Sequence, residues 1–236
     1  MILDAVATAV LSPLLLVQAL MLRRRALRLP EAAGPRQGVT GEGPPLGILI
    51  VGDSSAAGVG ADDQGTALAG QLAAALGPHH RVTWHLIAAT GATTPGTLAR
   101  LQTEAVPRAD VVVVILGVND VTRGGPMGGW LRSHAALRAH LRVTTGARRI
   151  YVSQVPPLGA FPLLPHPLRW LLGRRATRFD AALQAAVRDA PEVAHVPLPD
   201  GMDPGDMATD GFHPGPVIYA LWAQEMARRI LSDRQV

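Results

Sequence analysis

Leu46-Gly47-Ile48-Leu49-Ile50-Val51, running into Gly52-Asp53-Ser54-Ser55, is the stretch from which the rest of the chain can be read. A short apolar run rich in β-branched residues, broken by glycine and small polar residues, reads as a buried parallel strand ending in a loop. Downstream, Ala56-Ala57-Gly58-Val59-Gly60 leads to a helix-compatible stretch over 64–76, so Ser54 falls at a strand-to-helix turn. Open α/β sheets place their sites along that carboxyl edge. A serine there is exposed, backed by a rigid strand and close to a helix N-terminus, conditions that suit a nucleophile. Serine is also common in ordinary turns, so the neighbouring segments must decide.

Strand-like runs recur at 81–88, 110–116, 149–155 and 193–197, with helix-compatible stretches at 64–76, 95–104, 130–144, 174–189 and 216–231. Strands alternating with helices at these spacings argue for right-handed parallel βαβ units. The expected fold is a three-layer α/β/α domain with about five parallel strands, occupying residues 46–236. Ahead of it, Ala5 to Leu22 is an almost unbroken apolar stretch of 18 residues closed by Arg23-Arg24-Arg25 and Arg28. Its length falls short of the ~20 residues that span a bilayer. Asp4 precedes it and arginines follow, the reverse of a cleavable signal peptide. Residues 1–28 are expected to form an apolar helix that packs on its own domain, rests on a membrane or spans it. The expected location is cytoplasmic or peripheral to the cytoplasmic membrane. The Gly- and Pro-rich segment 29–45 reads as a linker.

Composition narrows the function. Apolar residues make up 48% of the 236, enough for a sizeable core and too many for a disordered chain. All 22 basic residues are arginine, yet the net charge is only +4 and no basic stripe with interleaved aromatics occurs, so nucleic-acid binding is not expected. With no cysteine, thiol catalysis and Cys-ligated zinc are excluded. Asp200, Asp203, Asp206 and Asp210 lack the alternating spacing of a calcium loop, and Pro204-Gly205 among them suggests a turn; no metal or cofactor is expected.

Four segments fall at the loop ends of the alternation: Gly52-Asp53-Ser54, Ala89-Thr90-Gly91-Ala92-Thr93-Thr94, Gly117-Val118-Asn119-Asp120 and Asp210-Gly211-Phe212-His213-Pro214. Each alone is an ordinary turn, helix cap or solvated loop; together, at one edge, they form a reaction set. A serine hydroxyl needs a base, and neutral histidine suits that role near neutral pH. The base needs a carboxylate on its other nitrogen, and Asp210 can meet His213 within one tight turn. An oxyanion formed at an ester carbonyl needs preorganised donors. The backbone N–H groups of Ser54 and Gly91 and the side-chain amide of Asn119 can supply three.

On these motifs the chain resembles the SGNH (GDSL-type) hydrolase superfamily, whose signature residues correspond to Ser54, Gly91, Asn119 and His213. Gly-Asp-Ser, Gly-x-Asn-Asp and Asp-x-x-His-Pro all stand in order across residues 46–231. The resemblance implies a flavodoxin-like fold, a metal-independent triad of Ser54, His213 and Asp210, and an oxyanion hole from Ser54, Gly91 and Asn119. It implies a serine esterase acting on small or lipid-like acyl esters. The alternatives are a lysophospholipase or thioesterase, or a catalytically silent membrane-associated binding protein. Two departures touch substrate fit: Ser55 stands where the family has leucine, and no polar residue precedes the glycine block. The Pro-rich apolar insert 156–175 lies at the same edge, and Leu158, Phe161, Leu163 and Leu164 are expected to contact substrate.

Overall fold

The computed structural model describes residues 2–25, 27–199 and 203–234. After α1 (Ile2–Arg25) the chain forms β1 (Gln37–Thr40), β2 (Pro45–Gly52), α2 (Leu68–Leu76), β3 (Arg81–Ala88), α3 (Thr94–Leu101) and β4 (Val111–Ile115). It continues through α4 (Val118–Thr122), α5 (Met127–Thr145), β5 (Arg149–Ser153), α6 (Leu168–Val187), β6 (Val193–Val196) and α7 (Pro216–Arg234). The six strands lie in the order β1-β3-β2-β4-β5-β6. From β2 to β6 every pairing is parallel, and β3-β2-β4-β5-β6 is the flavodoxin-like order. The expected parallel α/β/α architecture is present.

Its core follows from period-two alternation on strands covered on both faces. Leu46, Ile48 and Ile50 of β2 join Val111, Val113 and Ile115 of β4 against Leu68 and Leu72 of α2 and Trp222 and Ile230 of α7. Leu49 and Val51 join Val112 and Val114 on the other face, against Leu137 and Leu141 of α5 and Phe179 and Leu183 of α6. All five residues of β4 are buried; at ~1.5–3 kcal/mol for each fully buried large aliphatic side chain, this strand anchors both layers.

Two elements differ from expectation. Residues 29–45, expected as a linker, contribute β1, which pairs antiparallel with β3 on the sheet's edge. Its burial alternates weakly, exposed then half-buried, which is why its four residues carry little hydrophobic signal. The insert 156–175 is loop only in its first half. It makes one 3₁₀ turn at Leu158–Ala160 and enters α6 at Leu168, with Pro165 and Pro167 just ahead, where a missing N–H costs nothing. Gly117-Val118-Asn119-Asp120, a turn or helix cap by sequence, opens the short helix α4 with Gly117 at its N-cap. Among the described residues, no helix is long and apolar enough to cross a membrane. α1 lies against α6, its Gln18 side chain donating to the His166 carbonyl at 2.6 Å and accepting from the Leu168 N–H at 3.2 Å.

The end of β2 leaves no room for a side chain. A Cβ on Gly52 would sit 2.4 Å from the Ala56 Cβ and 2.7 Å from the Ile115 carbonyl oxygen. Gly52→Ala is expected to destabilise the protein by ~1–3 kcal/mol through overpacking, read as a lower urea midpoint at unchanged m-value.

Candidate active site

In the sheet, Gly52 lies opposite Ala88 on one side and Ile115 on the other. The loops that follow β2, β3 and β4 therefore start at one level, side by side. The chain moves to β3 on one flank of β2 and to β4 on the other, making this the topological switch point where α/β sheets open a crevice.

The Ser54 loop is tied down before its hydroxyl is considered. Asp53 N–H donates to the Ile115 carbonyl (3.1 Å), Ala57 N–H to the Asp53 carbonyl (2.9 Å) and Val59 N–H to the Ser54 carbonyl (3.0 Å). The Tyr219 hydroxyl of α7 donates to the Val59 carbonyl at 2.7 Å, joining the loop to the helix behind it. Ser54 then meets the loop ahead of α7. His213 Nε2 lies 2.9 Å from Ser54 Oγ, and His213 Nδ1 lies 2.6 Å from Asp210 Oδ2. A carboxylate can only accept, so Nδ1 carries the proton and Nε2 is left to accept from the serine hydroxyl. Asp210 Oδ1 accepts the backbone N–H groups of Phe212 and His213, both at 2.9 Å. Burial pushes the Asp210 carboxyl upward, but bonds from the His213 ring and those two N–H groups outweigh it and hold the carboxyl below its usual range.

Gly91 follows β3, and Asn119 stands in α4 just after β4. The N–H groups of Ser54 and Gly91 find no protein acceptor among the described residues. Gly91 has φ +78°, a region that side chains avoid, while a Cβ there would meet nothing nearer than the Arg123 Nη2 at 3.7 Å. Its conformation, more than crowding, calls for glycine. Asn119 Nδ2 donates one hydrogen to the Ala92 carbonyl at 2.9 Å, which orients the amide and leaves its second hydrogen available. Asp120, next in sequence, accepts the Thr94 N–H (3.1 Å) and hydroxyl (2.9 Å), and the Trp130 indole donates to that hydroxyl at 3.0 Å. The loops of Gly91 and Asn119 are thereby locked together.

Beside Ser54 lies an apolar cavity of about 100 Å³, several times the ~10–15 Å³ that admits one water. Phe161 is on its wall, with Pro156, Pro157 and Ala160 of the same insert. The other three residues expected there are elsewhere. Leu158, turned inward by the 3₁₀ turn, and Leu164 beyond it are buried in the core cluster with α6. Leu163 is half-buried, and its N–H donates to the Gly211 carbonyl at 3.0 Å, so it braces the histidine loop instead of lining the cavity. Ile218 and Trp222 of α7 and Phe212 complete much of the wall and were not anticipated. The i, i+4 apolar pair just after His213-Pro214 was the available signal. Among the described residues, no group of three His, Asp or Glu could hold a metal; Asp200 of the acidic loop lies outside the described residues.

Comparison with known proteins gives three findings. The model of the GDSL-like lipase/acylhydrolase family matches residues 50–221. A GDSL-like esterase of Mycobacterium tuberculosis is 33% identical over 191 residues, 75% of this chain and 59% of that protein, so the chain spans less than two thirds of its relative. Among solved structures, the psychrotrophic esterase EstA from Pseudoalteromonas sp. superposes with TM-score 0.61 at 21% identity, covering 80% of this chain and 99% of that one. A family 3 carbohydrate esterase from Clostridium thermocellum gives 0.63 at 18% identity, covering 80% and 98%. At such identities the two structural likenesses concern the fold.

Asp53 makes a pH test. Burial pushes its carboxyl up to about 7, opposed by the Ser55 N–H that Oδ1 accepts at 3.0 Å and by the field of His213. A folded value above the unfolded one means that the unfolded chain releases this proton first, so stability falls as pH rises from the unfolded value of 3.8 to about 7. Asp53→Asn, which cannot ionise, is expected to gain in Tm relative to the unaltered protein across that window and to keep a constant difference above it. A constant difference throughout the window would show that Asp53 ionises normally.

Proposed function

The chain belongs to the GDSL-like lipase/acylhydrolase family, and from that premise we propose that it is a serine esterase cleaving small acyl esters through Ser54, His213 and Asp210. The observation that carries this reading is the continuous line of bonds from Ser54 Oγ through the His213 ring to Asp210, 2.9 and 2.6 Å long, at the mouth of an apolar cavity. Ser54 Oγ attacks the acyl carbon while its proton passes to His213 Nε2. Asp210 stabilises the imidazolium. The negative charge that develops on the carbonyl oxygen is met by the N–H groups of Ser54 and Gly91 and the free amide hydrogen of Asn119. As the C–O bond breaks, His213 returns the proton to the leaving alcohol, leaving an acyl-serine. Water, deprotonated by His213, attacks that ester; the carboxylic acid departs and Ser54 is regained.

The cavity favours a short acyl group, seated against Phe161, Ile218 and Trp222. A longer, lipid-like chain would have to leave along the insert. A second reading, in which the ester is drawn from a lipid surface, has support in α1: Val10, Leu14, Val17 and Met21 form one exposed apolar face, with Leu16 and Leu20 beside it. In-plane contact of such a helix with lipid, reinforced by the exposed Arg24 and Arg28, is the partner interaction we propose for residues 1–28.

Two experiments test these readings. Ser54→Ala is expected to lower hydrolysis of p-nitrophenyl esters by at least ~10³-fold and to abolish labelling by a fluorophosphonate, with short acyl chains preferred by the unaltered enzyme. Undiminished turnover in that variant would overturn the triad, and an unaltered protein that is neither labelled nor active would favour the binding-protein alternative. In flotation with anionic phosphatidylglycerol vesicles, the protein is expected to rise with lipid, and Leu16→Glu with Leu20→Glu to stay at the bottom. Equal partitioning of both would remove the membrane contact.

A further inference from the structure

The residues just ahead of β1 lie across the carboxyl edge of the sheet, outside the 50–221 match. Ala32 N–H donates to the Ala57 carbonyl (3.2 Å) and Ala33 N–H to the Asp62 carbonyl (3.0 Å), while Gln64 N–H donates to the Ala33 carbonyl (2.8 Å). The Gln64 side-chain amide adds bonds to the Ala32 and Ala57 carbonyls at 3.3 and 3.1 Å. This strap is therefore stitched to the loop that carries Ser54. From its exposed side Glu31 reaches the next loop. Glu31 Oε1 accepts both the Thr90 N–H at 2.7 Å and the Thr90 hydroxyl at 2.8 Å. Its other oxygen pairs with the Arg36 guanidinium, which also donates to the Ala88 carbonyl at the end of β3 at 2.7 Å.

Thr90 is the residue before Gly91, and the Thr90–Gly91 peptide carries the Gly91 N–H. On the far side of that glycine, Arg123 Nη2 donates to the Gly91 carbonyl at 2.7 Å. Glycine itself supplies no rotational restraint, so the direction of its N–H is set by what holds the flanking peptides. We propose that Glu31 is a positioning residue of the oxyanion hole, clamping Thr90 so that the Gly91 N–H stays aimed where the acyl oxygen gains charge. The inference rests on the reading of Gly91 as an oxyanion donor. Its chemistry is that of a charge-assisted, two-point hydrogen bond, shorter and stronger than a neutral one. The Thr90 bonds and the Arg36 charge favour the ionised carboxylate, overcoming the upward push of partial burial. A donor that acts on the oxyanion matters in the transition state more than in the bound ester, so the clamp should act on kcat more than on KM.

The test uses the full chain and p-nitrophenyl butanoate, with active enzyme counted by phosphonate titration. Glu31→Ala is expected to lower kcat by about 10–100-fold per active site, since a small misplacement of a catalytic donor costs that much, while KM and Tm stay near those of the unaltered enzyme. Glu31→Gln, whose amide oxygen can still accept from Thr90 without the charge, should fall between the two. Inactivation by a p-nitrophenyl phosphonate, which puts its own oxygen in the same hole, should slow in parallel. Ser54→Ala serves as the reference for the esterase reading. If Ser54→Ala is inactive but both Glu31 variants keep the original kcat per active site, the clamp is wrong and the esterase reading stands. If Ser54→Ala remains active, the esterase reading itself falls. A loss that appears only as fewer titratable sites, or only in KM, also overturns the clamp; if Glu31→Ala does not fold, the same criteria apply to Glu31→Gln and to Thr90→Ala, which loses one of the two bonds.

Discussion

Gly52 pairs with Ala88 on one flank and Ile115 on the other, so three loops leave the sheet from a single level. That register is enforced by burial on both faces: a slip by one residue would exchange Ile48 and Ile50 with Leu49 and Val51 across the sheet. Each loop then needs only a few residues to reach the common opening. The absent side chain at Gly52 lets the Ser54 turn pack directly on the end of β4, and the Asp53 N–H bond to Ile115 fastens it there. The position of the serine is thus a consequence of strand pairing more than of anything in its own loop.

Three buried aspartates at this edge have different surroundings and therefore different roles. Asp210 receives two backbone donors and the imidazole, which keep it ionised beside His213. Asp53, behind the serine, is pushed up by burial with the Ser55 N–H opposing, and braces its turn. Asp120 is also raised by burial, and its bonds to Thr94 fasten the Asn119 loop to the Gly91 loop. Removing charge from water is costly unless donors replace it, and the balance of burial against donors separates these three carboxylates.

The histidine loop is held by packing as well as by hydrogen bonds. Phe161 of the insert meets Phe212 edge-on at 5.3 Å between ring centroids, and Phe212 meets the His213 ring in the same manner at 5.3 Å. With the Leu163 N–H bonded to Gly211, the insert touches both the cavity wall and the turn that carries His213. Segments from outside the repeating βαβ units, the insert on one side and the strap before β1 on the other, complete an edge that the sheet alone leaves open.

The order of strands and helices, the serine turn and the Asp210–His213 turn were legible in the sequence because each rests on local chemistry. Apolar alternation, glycine at a strand end, and a carboxylate three residues before an imidazole all act over short spans of chain. Leu158 could not be assigned from the chain alone, since a 3₁₀ turn of three residues decides which neighbours face the core and which the cavity, and Leu164 follows from how the loop beyond it packs. β1 escaped notice because an exposed edge strand has no apolar period to reveal it. Glu31 is 59 residues from Thr90, and no local pattern encodes that meeting. Sequence alone determined which groups could perform the chemistry and the sheet that would carry them. Tertiary structure decided which of them meet, because contacts between distant segments depend on how strands pair and loops pack, and not on the residues' own spacing.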